Sequence, residues 1–151
     1  MTVAYVGAEA IVLRDVAAWL AASAAFQAFT GTADATAAAA RIVEIDGEDP
    51  GLAHAAIDTP VLRVQRTAGG AYDGTADVLL AFAGPATAGD TAAEIHRRAL
   101  AHVAAVRADL LAAAGSRILT VISDPPTIAD PSDGLPAWVE WSLALTVEAR
   151  P

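Results

Sequence analysis

The sequence predicts an α+β fold, with a mostly antiparallel sheet of about five strands and two helices packed on one face. Three observations carry that expectation. The run Trp138 to Glu148 alternates strictly, with Val139, Trp141, Leu143, Leu145 and Val147 on one side and Glu140, Ser142, Ala144, Thr146 and Glu148 on the other. Successive strand side chains point to opposite faces, so this is a long strand with one buried and one wetter side. The segments Val61 to Thr67 and Ala76 to Ala83 are joined by a glycine-bearing connection and read as a hairpin. Thr91-Ala92-Ala93-Glu94 opens a helix with a capping box, in which hydroxyl and carboxylate satisfy orphaned backbone donors.

The elements follow in order. Ala8 to Phe26 is the first helix, since Val12, Val16, Trp19, Leu20 and Phe26 recur at helical spacing, and Gly31 closes the region. Thr32 to Ala40 is alanine-rich and reads equally as a loop or as extra helical turns. Arg41 to Ile45 is a short β-branched strand, broken by the acidic turn Asp46 to Gly51. In the hairpin, Leu62 and Val64 oppose Arg63 and Gln65, then Val78, Leu80 and Phe82 alternate with Asp77, Leu79 and Ala81. The helix from Thr91 runs to about Ala114, with Gly115 as C-cap and Ile95, Ala99, Val103, Val106 and Leu110 as its apolar stripe. Arg117 to Ser123 is a strand. The proline-rich segment 124–136 reads as a long loop that carries no regular ladder.

At 151 residues the chain fits a single domain spanning 1–151 and is long enough to bury about 70% of its unfolded surface. Hydrophobic residues make up 55% and aromatics only 5%, so a few large side chains (Trp19, Phe26, Phe82, Trp138, Trp141) anchor a core of small ones. All nine basic residues are Arg, against eighteen Asp and Glu, for a net charge of −9. Such a chain is a poor non-specific binder of nucleic acid, because phosphate neutralisation drives that affinity. Cysteine is absent, which excludes disulfides, thiolate catalysis and thiolate metal sites. No uncharged apolar run reaches the roughly 18 to 20 residues of a membrane span, and the N-terminus lacks the basic region of a signal peptide. A soluble, intracellular product without membrane association is expected.

Catalytic motifs are not legible. His96 and His102 stand six apart on one helix, on different faces, and so miss the spacing of a zinc helix. The acidic turns Asp46/Glu48/Asp49 and Asp130/Asp133 lack the calcium-loop pattern, and Gly69, Gly70 and Gly74 lack the Lys and Ser/Thr of a phosphate loop. No metal, cofactor or enzymatic activity is expected. The polar residues that stand out are Arg63 and Arg66 on the hairpin, Tyr72 and Asp73 in its glycine-rich loop, with Tyr72 at the tip, Arg97 and Arg98 on the capped helix, and Asp130 and Asp133 in the proline loop. Each has two readings, a solvated surface or a contact with a neighbouring subunit, where Arg and Tyr are enriched.

Taken together, four segments resemble the tail-terminator, or tail-completion, family of long-tailed bacteriophages (minor tail protein U-like), with related neck proteins of prophages and gene transfer agents. They are Ile11 to Leu20, Pro60 to Val64, Val106 to Leu111 and Trp138 to Val147. That resemblance implies a homo-oligomeric ring, usually a hexamer, on the head-proximal end of the tail tube. The ring would stop tube polymerisation and join tail to head. Its partners would be further copies of itself, the tail tube protein and a head–tail connector protein, with DNA passing through the lumen without specific binding. It would act in the host cytoplasm during assembly and then in the virion. The family carries no catalytic residues. The alternatives are a neck or head-completion protein of the same particle, or a small α+β ligand-binding domain or enzyme.

Overall fold

A computed structural model describes residues 7–44, 51–70, 72–87, 89–129 and 137–149, and of Tyr72 the backbone alone. The fold is α+β, as the sequence predicts, but the sheet has seven strands rather than about five and is mixed. Its strands are β1 (Ile42–Glu44), β2 (His54–Ile57), β3 (Val61–Arg66), β4 (Tyr72–Pro85), β5 (Ile118–Ser123), β6 (Thr127–Ala129) and β7 (Trp138–Glu148). The order is β1-β2-β4-β7-β5, with β3 pairing the first half of β4 and β6 pairing the start of β7. Every pairing is antiparallel except β1 with β2, which is parallel.

The axis of the sheet is β4 against β7, in register from Thr75↔Glu148 to Pro85↔Trp138. Opposed residues of an antiparallel pair share a face. One face therefore collects Ala76, Val78, Leu80 and Phe82 from β4 with Val139, Trp141, Leu143, Leu145 and Val147 from β7, all buried. The expected alternation of the terminal strand holds at every position of its buried side. Trp138 falls on the opposite face and is half-buried, so it is not the core anchor that its size suggested.

Helices cover this apolar face: α1 (Ala8–Ala21), α2 (Ala24–Thr30), α3 (Ala35–Ala39) and α4 (Ala92–Ala114). The single helix expected over Ala8 to Phe26 is two. The Ser23 Oγ accepts from the Phe26 N–H at 3.1 Å and donates to Asp109 of α4 at 2.7 Å. The same carboxylate accepts the Ala25 N–H at 3.1 Å. It places a negative charge at the positive end of α2, and the group that breaks the helix lies 86 residues away in sequence. The alanine-rich stretch contains α3, whose N-cap Asp34 accepts from the Ala37 N–H at 2.8 Å. In α4 both halves of the capping box form, Gly115 at φ 60 is the C-cap, and the whole predicted stripe is buried.

Two further expectations change. Strand β2 was not legible, because His-Ala-Ala-Ile has weak strand propensity; its pairing with β4 and β1 supplies what propensity does not. Within the proline-rich segment, Thr127–Ala129 does pair with β7, since its residues follow the prolines and keep their N–H groups. Ile45, the acidic turn 46–50 and residues 130–136 lie outside the described residues.

Aromatic packing gives the core its centre. The Trp141 ring stacks on Phe82 at 5.3 Å and 9°, and meets Phe29 edge-on at 4.7 Å. Gly84 makes room for this, because a Cβ there would come within 2.8 Å of the Phe29 ring. At the other end of the core, Arg117 clips the start of β5 to α1. Its Nη1 donates to Asp15 at 2.7 Å and its guanidinium lies 5.1 Å from the centre of the Trp19 ring. Burial raises the Asp15 carboxyl, but hydrogen bonds and charge from Arg117 and Arg14 outweigh it and hold the group below its ordinary value of 3.8.

Two outcomes are expected. Trp141→Ala should cost about 3–5 kcal/mol in urea melts, and Trp141→Glu, which buries an unpaired charge, should give no cooperative transition. A well-folded Trp141→Glu protein would mean that the faces are reversed. Asp15→Asn should cost about 1.5–3 kcal/mol at pH 7, as for a hydrogen bond to a charged group. The lowered pKa contributes stability that is full above the ordinary value of 3.8 and lost as pH falls through the folded one. The difference between Asp15→Asn and the unmutated chain should therefore vanish in strong acid.

Candidate functional site

Among the described residues no helix lies on the opposite face of the sheet, and its side chains follow from the same register. One row across the strands is Ile122, Ala144 and Leu79, and the next is Thr120, Thr146, Asp77 and Val61. Ala81 with Ala56, and Ala83 with His54, continue it toward the other end. Ile122 is 63% exposed, Val61 60% and Leu79 36%. These residues line a shallow groove of about 500 Å³. Large apolar side chains grouped like Ile122, Leu79 and Val61 on an exposed sheet face are the mark of a contact surface.

Acidic groups border the apolar rows. Asp58 lies beside Leu79, whose carbonyl accepts its N–H at 3.0 Å, and Asp77 sits between Thr146 and Val61. The Thr146 hydroxyl donates to Asp77 at 3.0 Å, and Arg63 pairs with Asp77 at 2.7 Å. With the Arg63 side chain 70% exposed, that pair adds little stability, and it leaves the guanidinium available to a partner. Further along, Asp124 accepts from Ser142 at 2.8 Å, and Glu140 is exposed.

The residues singled out in the sequence do not form one site. Arg63 and Asp73 lie on the open face, whereas Arg66 and Tyr72 pair with each other on the alternate phase at the end of the hairpin. Tyr72 begins β4 rather than standing in the loop. Arg97 and Arg98 are on α4, in the other layer. Asp130 and Asp133 lie outside the described residues. The apolar rows were the residues that sequence reading passed over. Their signal was present, in Leu79 on the polar phase of β4 and in the unbroken run Ile118-Leu119-Thr120-Val121-Ile122.

A second concavity, of about 240 Å³, lies between α4 and the sheet. It brings His102, Arg98, Asp90 and Thr87 near Phe29 and Trp141. Arg98 is already engaged, donating to Asp90 and, at 2.7 Å, to the Thr87 hydroxyl. The His102 ring lies nearly parallel to Trp141 at 6.4 Å, and burial, with the charge of Arg98, lowers its pKa. The indole N–H of Trp141 is buried without an acceptor among the described residues. Among those residues no cluster of three or more His, Asp or Glu could hold a metal ion.

These surfaces define a protein whose sheet, among the described residues, is covered by helices on one side and bare on the other. No protein-family model matches the chain, and no curated protein matches it in sequence. Among solved structures it is similar to a chain of one described as "Virion of native gene transfer agent (GTA) particle". That likeness has a TM-score of 0.49 and 13% sequence identity, over 97% of this chain and 99% of the other. A likeness of that degree fixes neither family nor activity.

The lowered His102 pKa gives a pH signature. The unfolded chain takes up a proton near pH 6.5 and the folded chain only below it, so stability falls as pH drops through that window. In His102→Gln this part of the decline should disappear, as read from denaturant melts between pH 7 and pH 5.

Proposed function

We propose that this chain is a tail-terminator subunit of a phage or phage-like particle, forming a ring on the head-proximal end of the tail tube. The observation that carries the reading is the bare sheet face with its exposed Val61, Leu79 and Ile122. A stably folded scaffold that leaves such rows uncovered is built to be covered by another protein. The sequence resemblance to tail terminators supports the choice of partner. In this reading the ring stops tube growth and presents a surface for the head–tail connector. Arg63 and Asp73 would serve the contact on the open face, and Arg66 and Tyr72 at the hairpin end. Arg97 and Arg98 would serve it from α4, and Asp130 and Asp133 from the proline-rich segment. A net charge of −9 per subunit suits a lumen that DNA crosses without sticking. It also requires the subunits to offset their mutual repulsion at the interfaces.

One observation favours a second reading, a small-ligand domain. It is the concavity beside α4 with His102 and the Trp141 indole, which has no acceptor among the described residues. Against it, the cation that would orient a ligand there is already neutralised by Asp90.

Native mass spectrometry and negative-stain imaging of the purified chain, alone and with tail tubes, separate the two. Closed rings seated on one end of each tube, with tubes of capped length, are the expected result. A strict monomer that ignores tubes would contradict the proposal.

A further inference from the structure

Helix α4 has a second stripe. Opposite the buried one, Arg97, Leu100, Ala104, Ala108 and Leu111 follow one another at spacings of three and four residues, and all are exposed. Leu100 is 45% exposed and Leu111 41%. The span Ala92–Arg117 is rich in Ala, Leu and Val, yet much of it is exposed. A helix this apolar on both sides is normally covered on both.

The helix stripe and the bare sheet face are complementary. Along this stripe the helix is apolar apart from Arg97, whose Nε, among the described residues, donates to the Ala93 carbonyl of its own helix at 3.3 Å. The sheet side is apolar along the row of Ile122, Ala144 and Leu79 and acidic beside it, where, among the described residues, Asp58, Asp77, Asp124 and Glu140 outnumber Arg63. The two lie on opposite sides of a two-layer molecule, because α4 packs its first stripe on the covered face of the sheet. Such surfaces cannot meet within one copy.

We propose that the bare sheet face of one copy receives the outer stripe of α4 from the next copy. The contact is head-to-tail. Leu100 and Leu111 settle over the rows of Leu79, Ala144 and Ile122, and Arg97 meets the acidic border. A contact of this kind uses two different patches per subunit and propagates until it closes into a ring. The inference rests on the ring reading above and assigns its two surfaces.

The test uses the full chain and two variants, Ile122→Glu on the sheet and Leu100→Glu on the helix. Both sites are exposed, so circular dichroism and Tm should match the unmutated chain. Should either glutamate unfold the chain, Val61→Ser and Leu111→Ser make the same test. Light scattering and native mass spectrometry should show rings for the unmutated chain and monomers for each variant alone. An equimolar mixture should give pairs containing one of each variant, and nothing larger, because only one good contact remains per pair. Rings from Leu100→Glu alone would overturn this pairing and leave the ring reading intact. An unmutated chain that stays monomeric, alone and with tubes, would overturn both.

Discussion

Everything else in the fold hangs on the long ladder between β4 and β7. These two strands are the longest, and they meet at the centre of the sheet over the whole length of the second. Because side chains alternate with a period of two, that single register decides which residues are core and which are surface. A slip of one residue would turn Trp141, Leu143 and Leu145 to the bare face and bring Glu140 and Ser142 inside. The pairing is guarded at both ends. Gly84 accepts the Phe29 ring that packs on Trp141, and the Ala149 N–H donates to the Gly74 carbonyl at 3.0 Å.

The helical layer follows from that ladder. Helix α4 presents Ile95, Ala99, Val103, Val106 and Leu110 to a face already made apolar by the register. It also anchors the neighbouring helices through Asp109, which completes the start of α2. Arg117 then ties the first helix to the edge strand that follows α4. The layer is therefore a set of parts fixed by the sheet and by one another, with its outer side left apolar along Leu100 and Leu111.

Much of this was legible in the sequence, for reasons that are local. The terminal strand announced itself by strict alternation, and α4 by its capping box and stripe, since both signals lie within a few residues of where they act. The hairpin was legible from its glycine-bearing loop. What could not be read was non-local. The break at Ser23 depends on a carboxylate on α4, and β2 depends on neighbours that supply its ladder. The contact surface was harder still. Val61, Leu79 and Ile122 come from three strands, and only the register brings them into adjacent rows. The charged residues that drew attention were scattered by the fold over the sheet, the hairpin end and the helix.

The central claim is that two surfaces left apolar by this architecture, one on each layer, are covered when the protein works. Hydroxyl-radical footprinting of the assembled and dissociated chain tests it most directly. Labelling should fall on assembly at Leu79, Ile122, Leu100 and Leu111, while Leu52, exposed but outside both surfaces, stays reactive. Equal labelling of those four leucine and isoleucine side chains in both states would contradict the account.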